Sequence, residues 1–520
     1  MRSNSIYRSN RISLSGRSKL LFLLAFVGTV ALVPLQRLKA QQGGAQGALV
    51  IEGGTLIDGN GGAPVADAVI VFEGTRITAA GPRAAVRVPP NSHIVDARGR
   101  YVIPGLIDTN VHLSLYGGAK ERYESLVRYQ PRQNDIVLEA AQIDLTYGVT
   151  TVRDSYGLLR PLTHVRDEIA AGRAVGARIL AAGNIVGWGG PYSITFSLTP
   201  DRDLTLFQEQ MNDEVAQGAG EELFDMSPDE LRVAIDKYLD KGPDFLKFGG
   251  TSHFSQPTFI GFSPEAQKVM VEETHKRGRG VDTHSTNIEG LRISLLAGVD
   301  LVQHPELMTP RAMPDDLIRM MKERHVLGGM LVSTITGDAW TKHLKAKEEA
   351  EKKYAKAANH PLTFTEKRRK AADLGDDLET RRRNAQALIR AGVLLTPGTD
   401  SYWGAAPEFA REPKPETQDH GIGTILAIEG LVELGMTPSQ AIVAGTKNGA
   451  IACRRLKDFG TIEAGKLADL LILGADPLAD IHNLRKLNAV YKEGKHIDTS
   501  RLPERRVLST PPASHPATQN

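Results

Sequence analysis

A chain of 520 residues with 41% apolar, 24% charged and 6% aromatic residues has the composition of a folded, multi-unit globular protein, which excludes a disordered chain and a multi-span membrane protein. The first 40 residues hold seven basic side chains (Arg2, Arg8, Arg11, Arg17, Lys19, Arg37, Lys39) and no acidic one. Beyond them 56 basic residues face 61 acidic ones, a net charge of −5 that lacks the basic footprint of a nucleic-acid binder. Cys453 is the only cysteine, so no internal disulfide forms.

Residues 1–40 read as a secretory signal peptide: a basic stretch, an uncharged run from Leu20 to Val33, then Leu38-Lys39-Ala40 with a small residue before the cut. The run falls short of the roughly 20 residues that a spanning helix needs. The expectation is an exported protein, periplasmic or secreted, with no stable membrane anchor after cleavage.

Residues 48–103 show short β-rich runs, such as Ala48 to Ile51 and Ala68 to Phe72, separated by the Asp58-Gly59-Asn60-Gly61-Gly62 turn. From 104 to 455 short apolar runs alternate with longer helical stretches, the pattern of parallel βαβ units. The expected strands are Val102 to Ile107, Val149 to Arg153, Arg178 to Ala182, Phe245 to Phe248, Gly280 to His284, Leu301 to His304, Val326 to Ser333 and Val393 to Thr399. Eight is the number a closed barrel requires. Within this region 340–383 reads as a charged helical insertion, carrying 13 Lys and Arg against 8 Asp and Glu between Lys342 and Arg383; as the loop after the seventh strand it is either a solvated helix or a lid. Residues 456–500 return to strand character, and 501–520 read as a disordered tail. The expected fold class is α/β: a (β/α)8 TIM barrel with a small β-sandwich domain formed from both chain ends.

Polar clusters fall at the expected strand ends: Asp108-Thr109-Asn110-Val111-His112, Lys247, His284, His304 and Gly398-Thr399-Asp400-Ser401. Each alone is weak, since a single histidine is more often structural and a Gly-Thr-Asp turn is more often a helix cap. Together they bring imidazole and carboxylate groups to one mouth of the barrel, which is the donor set of a zinc-type ion.

These segments resemble the amidohydrolase superfamily, in its imidazolonepropionase-like and prolidase-like branch. The resemblance rests on Val102-Ile103-Pro104-Gly105-Leu106-Ile107-Asp108, Tyr147-Gly148-Val149-Thr150-Thr151-Val152-Arg153-Asp154, the stretch from Ala297 to His304, Gly398-Thr399-Asp400-Ser401 and the stretch from Gly460 to Leu470. It implies a metal-bearing barrel that hydrolyses amide or related C–N bonds. In that reading Lys247 is a carboxylated lysine, His112, His284 and His304 are metal ligands, and Asp400 is both ligand and catalytic acid and base. The cofactor implied is a divalent transition metal, zinc first, at one or two per chain.

One departure stands out. The family carries two histidines one residue apart at the end of the first barrel strand, and here the first is Asn110, a poorer ligand or a group behind the ligands. Two metals, one metal at the position of Lys247, His284 and His304, or loss of catalysis all follow from it. The loop histidines His253 and His420 are expected to face solvent, although either could fill the gap.

For substrate, Arg153 is a candidate partner of a carboxylate, with an ion pair to a barrel acid as the plainer reading; His253 and Tyr402 are further candidates. The expected substrate is a small-molecule amide, a dipeptide or N-acyl amino acid ahead of a cyclic amide. The alternative is a non-catalytic ligand-binding protein on the same barrel. A homo-oligomer is left open. The Gly460 to Lys466 stretch is expected to be a turn and not a phosphate loop, because Leu467 stands where Ser or Thr would reach magnesium. Ser263-Pro264-Glu265 is expected to start a helix.

Overall fold

The computed structural model describes residues 47–115, 122–197, 204–252, 258–307, 311–356, 363–404, 406–409 and 414–509. The expected signal peptide lies outside the described residues, and among the described residues no helix is long and apolar enough to cross a membrane.

Leu49–Leu56 and Val65–Glu73 are rich in β-branched residues and flank a glycine-rich turn, so they pair antiparallel with Ile51 opposite Ile70. Arg76–Pro82 extends this hairpin on one side. On the other side Tyr101–Pro104 links the first strand to Leu470–Leu473, followed by Leu487–Lys492 and Lys495–Ile497. Strands from both parts of the chain form a single connected eight-stranded sheet. Alternation divides its side chains into two apolar clusters, Ile51, Ile70 and Phe72 in one and Val50, Val69 and Val71 in the other.

The parallel strands follow in the anticipated order: Leu106–His112, Val149–Asp154, Arg178–Ala181, Leu246–Gly249, Val281–His284, Leu301–Gln303, Leu327–Met330 and Leu395–Pro397. Nearly all their residues are buried, because helices cover the outer side of such strands. The strands form two parallel sheets, one running through the first three and one through the last five. Hydrogen bonds bridge the sheets, among them Asp244 N to Ala181 O at 2.7 Å and Thr109 Oγ1 to Pro397 O at 2.8 Å. This is a TIM-barrel-type α/β fold.

Three boundaries differ from expectation. The single strand anticipated from Val102 to Ile107 is two: Tyr101–Pro104 belongs to the flanking sheet, and the barrel strand starts at Leu106. Gly105 makes the crossing, its N–H bonded to Asp469 O at 3.0 Å. A Cβ at Gly105 would lie 2.2 Å from Thr150 Oγ1, so only glycine lets the neighbouring barrel strand approach.

The charged segment 340–383 forms helices Gly337–Lys356, Phe364–Leu374 and the start of Asp376–Ala391. Its last part is no free insertion. Arg381 donates to Leu331 O at 3.2 Å and Thr334 Oγ1 at 3.0 Å, and Asn384 donates to Glu306 O at 3.1 Å, fastening this helix to the loops after the sixth and seventh strands.

The segment 501–509 of the expected disordered tail is ordered. Leu508 is buried, and the backbone N–H groups of Val507, Leu508 and Ser509 all donate to the carboxylate of Glu139. Two smaller readings hold: Gly460 lies in a turn region whose Ile462 N donates to Asp58 O in the turn after the first strand, and Ser263 caps the helix Pro264–Lys276 through Ala266 N.

Replacing Gly105 by Ala forces Thr150 aside. The expected cost is about 1–3 kcal/mol of stability, as for other overpacked sites, read as a lower denaturant midpoint. A midpoint equal to wild type would show that the crossing tolerates a side chain.

Candidate active site

At the C-terminal ends of the barrel strands three side chains converge on one carboxylate. His112 Nε2 lies 2.8 Å and His304 Nε2 3.5 Å from Asp400 Oδ1, and the Asn110 amide nitrogen donates to the same oxygen at 3.2 Å. The Asn110 nitrogen also lies 3.0 Å from His304 Nε2. Its oxygen accepts from the hydroxyl of Ser155, and that hydroxyl accepts from Lys247 Nζ at 3.0 Å. His284 meets His304 edge to face with centroids 5.9 Å apart, and the Trp188 ring stands 5.5 Å from His284. The geometry thus gathers His112, Asn110, Lys247, His284, His304 and Asp400 at one mouth.

The backbone positions two of these residues at some expense. His304 and Asp400 follow short strands and hold φ of +54° and +55°, a left-handed conformation that non-glycine residues rarely adopt. Each such residue costs on the order of 1–3 kcal/mol and persists only where neighbours fix it. Here His304 N donates to Gly329 O and Asp400 N to Asn110 O, both at 2.8 Å.

Electrostatics separate the roles. Burial alone would raise the Asp400 carboxyl, but the charges and hydrogen bonds of His304 and His112 outweigh it and hold it well below the usual carboxylate range. Its side chain keeps 28% of its surface exposed, so it can meet a substrate. Lys247 is 2% exposed, and burial pushes its ammonium down to about 8 against the pull of Asp400, Asp282 and Asp154. His112 stands between two acceptors, Tyr156 O at 3.0 Å from Nδ1 and Asp400 at Nε2. Both are satisfied only when each ring nitrogen carries a proton or when a cation sits between the ring and the carboxylate.

Other anticipated residues are elsewhere. Arg153 is 1% exposed and makes two 3.0 Å bonds to Asp282 while stacking 3.9 Å over Phe245, so it is a structural ion pair and not a substrate anchor. Its partner is Asp282 of the fifth strand; the adjacent Asp154 accepts instead from the N–H groups of Leu113 and Tyr156. His420 is buried, 3.3 Å from Ser401 Oγ and 5.1 Å from the Trp403 ring, and does not face solvent. Tyr402 is half-buried beside His112 in the strand register, with its carbonyl taken by Lys414. His253 lies outside the described residues. Sequence reasoning missed Ser155, the bridge from Asn110 to Lys247; its position just past the second strand, after Arg153-Asp154, was the available signal.

Among the described residues no three His, Cys, Asp or Glu side chains form a cluster that holds a metal ion by themselves. The donor set nonetheless fits one ion once Lys247 contributes. His284 and His304 stand edge to face, and the lysine is buried, favours its neutral form more than an exposed one, and touches no carboxylate among the described residues.

Over residues 101–497 the chain matches the model of the amidohydrolase family. Molinate hydrolase superposes with a TM-score of 0.77 at 32% identity, over 91% of this chain and 99% of that one. Phenylurea hydrolase B superposes with a TM-score of 0.78 at 30% identity, over 89% of this chain and all 100% of that one. The ochratoxinase of Aspergillus niger is 25% identical over 473 residues, 86% of each chain.

Removing one partner of a buried ion pair leaves an uncompensated charge, so Asp282→Ala is expected to lose about 3–5 kcal/mol of stability. Urea denaturation checks it. A loss under about 1 kcal/mol, the range of an exposed pair, would return Arg153 to the list of groups free to bind substrate.

Proposed function

Because the chain belongs to the amidohydrolase family and is a hydrolase acting on carbon–nitrogen bonds, we propose that it cleaves a small neutral amide or urea with one divalent transition metal, zinc first, and with Asp400 as general base and acid. The observation that carries this reading is the partly exposed carboxylate of Asp400, held by His112 and facing His304, with a buried lysine of lowered pKa one serine away.

Lys247, His284 and His304 would hold the metal, the lysine as its carbamate after taking up CO2. When bound, the ion polarises the scissile carbonyl and makes water a nucleophile near neutral pH. The chain's own residues do the rest. His112 orients the Asp400 carboxylate, which takes the proton of the attacking water and returns it to the departing nitrogen. Asn110 donates to Asp400 and accepts from Ser155, so in this reading it orients the acid and does not bind metal, and one metal per chain follows.

The pairing of Arg153 with Asp282 supports a neutral substrate. The dipeptide or N-acyl amino acid anticipated from sequence needs an anchor for its carboxylate, and the guanidinium suggested for that task is consumed by Asp282. The names of phenylurea hydrolase B and molinate hydrolase point the same way. The basic and apolar pattern of residues 1–40 supports an exported enzyme.

Asp400→Asn keeps the side-chain shape and removes the base, so kcat on an amide or phenylurea substrate is expected to fall by about 10²–10⁴. Unchanged turnover would remove Asp400 from the mechanism and favour a binding protein. Lys247→Ala is expected to lose metal by elemental mass spectrometry, together with activity, and to regain part of both with added short carboxylates. Full metal content in that variant would exclude the carbamate.

A further inference from the structure

A cavity of about 690 Å³ opens at the opposite end of the barrel strands from Asp400. Its wall includes Ile179, Phe245 and Gly280, at the beginnings of the third, fourth and fifth strands, the fifth of which ends in His284. The cavity is large enough for a small organic ligand, and nothing in the hydrolytic mechanism uses it.

Its lining is rich in cations, and most of them are committed. Arg166 binds Asp167 and Asp244, both at 2.9 Å, and Arg178 binds Asp469 at 2.8 Å and Glu493 at 2.6 Å. Arg454 and Arg455 pair with Asp300 and Asp458, each at 3.3 Å. Two cations are less fully paired. Arg279 donates from Nη1 to Leu239 O at 2.7 Å and has no carboxylate partner among the described residues, so the rest of its fork is uncommitted. Lys492 is 8% exposed, and its nearest carboxylate is Glu493 at 3.6 Å, already taken at shorter range by Arg178.

Lys492, nearly buried and weakly paired, is unfavourable there without an anion, and Arg279 presents uncommitted N–H donors to the same cavity. The direction of their titration agrees. Burial and then the charge of Arg277 lower Arg279, and burial and then Arg178 lower Lys492. A guanidinium fork and an ammonium are both phosphate-binding groups. The neighbouring wall of Ile179, Leu180 and Phe245 is apolar.

We propose that this cavity binds a phosphate monoester, its phosphate oxygens held by Arg279 and Lys492 and its organic part laid on Ile179 and Phe245. The site is separate from the hydrolytic centre and does not depend on the reaction assigned there.

The test is isothermal titration of the full, metal-loaded protein with phenyl phosphate and with inorganic phosphate, at constant ionic strength in chloride. Saturable binding is expected, tighter for phenyl phosphate. Arg279→Gln and Lys492→Gln are each expected to weaken it by about tenfold or more, while Arg279→Gln keeps the hydrolytic activity of the wild type. Arg279 is half-exposed, so its variant tests the site even if Lys492→Gln does not fold. Asp400→Asn is expected to bind as wild type does. No saturable binding, full binding in Arg279→Gln, or loss of binding in Asp400→Asn would overturn the site, the last by moving the anion to the active centre. Phenyl phosphate binding no tighter than inorganic phosphate would overturn the role of the apolar wall.

Discussion

A carboxylate that cannot reach water must find hydrogen-bond donors inside the protein, and at the mouth of this barrel that demand ties the strand ends to one another. Asp108, on the first strand, accepts from the hydroxyls of Thr399 and Thr424 at 2.8 and 2.7 Å, which fixes the turn that carries Asp400. Asp154, ending the second strand, accepts from Leu113 N at 2.6 Å and so holds the chain just past His112. Asp282, on the fifth, takes Arg153 from the second and the Gln303 amide from the sixth. Burial strains these acids, raising Asp108 to about 6 and Asp154 to about 7 despite their donors. Asp400 differs from these acids in keeping part of its side chain exposed.

The same framework accounts for the backbone at His304 and Asp400. A left-handed residue at the end of a strand turns its side chain away from the direction the strand would have given it, and neighbouring hydrogen bonds keep it there. Two such residues facing each other across the mouth give a site whose geometry is set before substrate arrives. Preorganisation of this kind matters because a misplacement on the order of 1 Å costs much of the rate.

Much of this was legible in the residues. Eight apolar runs, each ending in polar groups, are a local pattern, and the parallel strands fall where those runs lie. The convergence of His112, His304 and Asp400 follows once strand order is known, since strand ends share one face. What escaped was whatever depends on partners distant in sequence. Nothing near Arg153 announces Asp282, 129 residues on. His420 sits in a loop by every local sign, yet packing against Trp403 and Ser401 buries it. The break at Gly105 was hidden because the residues on both sides of it are apolar and buried alike.

Glu139 gives the chain's last described segment an unusual standing. Its carboxylate, buried on the helix Gln133–Thr146, is satisfied by the three successive backbone amides of 507–509 and by the Ser509 hydroxyl. Those donors come from the main chain, so the lock is indifferent to which side chains occupy 507 and 508 as far as hydrogen bonding goes. It is sensitive to length instead. Trimming the protein back past Val507 would leave a charged group sealed in the interior with its donors gone, whereas a purification tag appended beyond Asn520 leaves all of them in place.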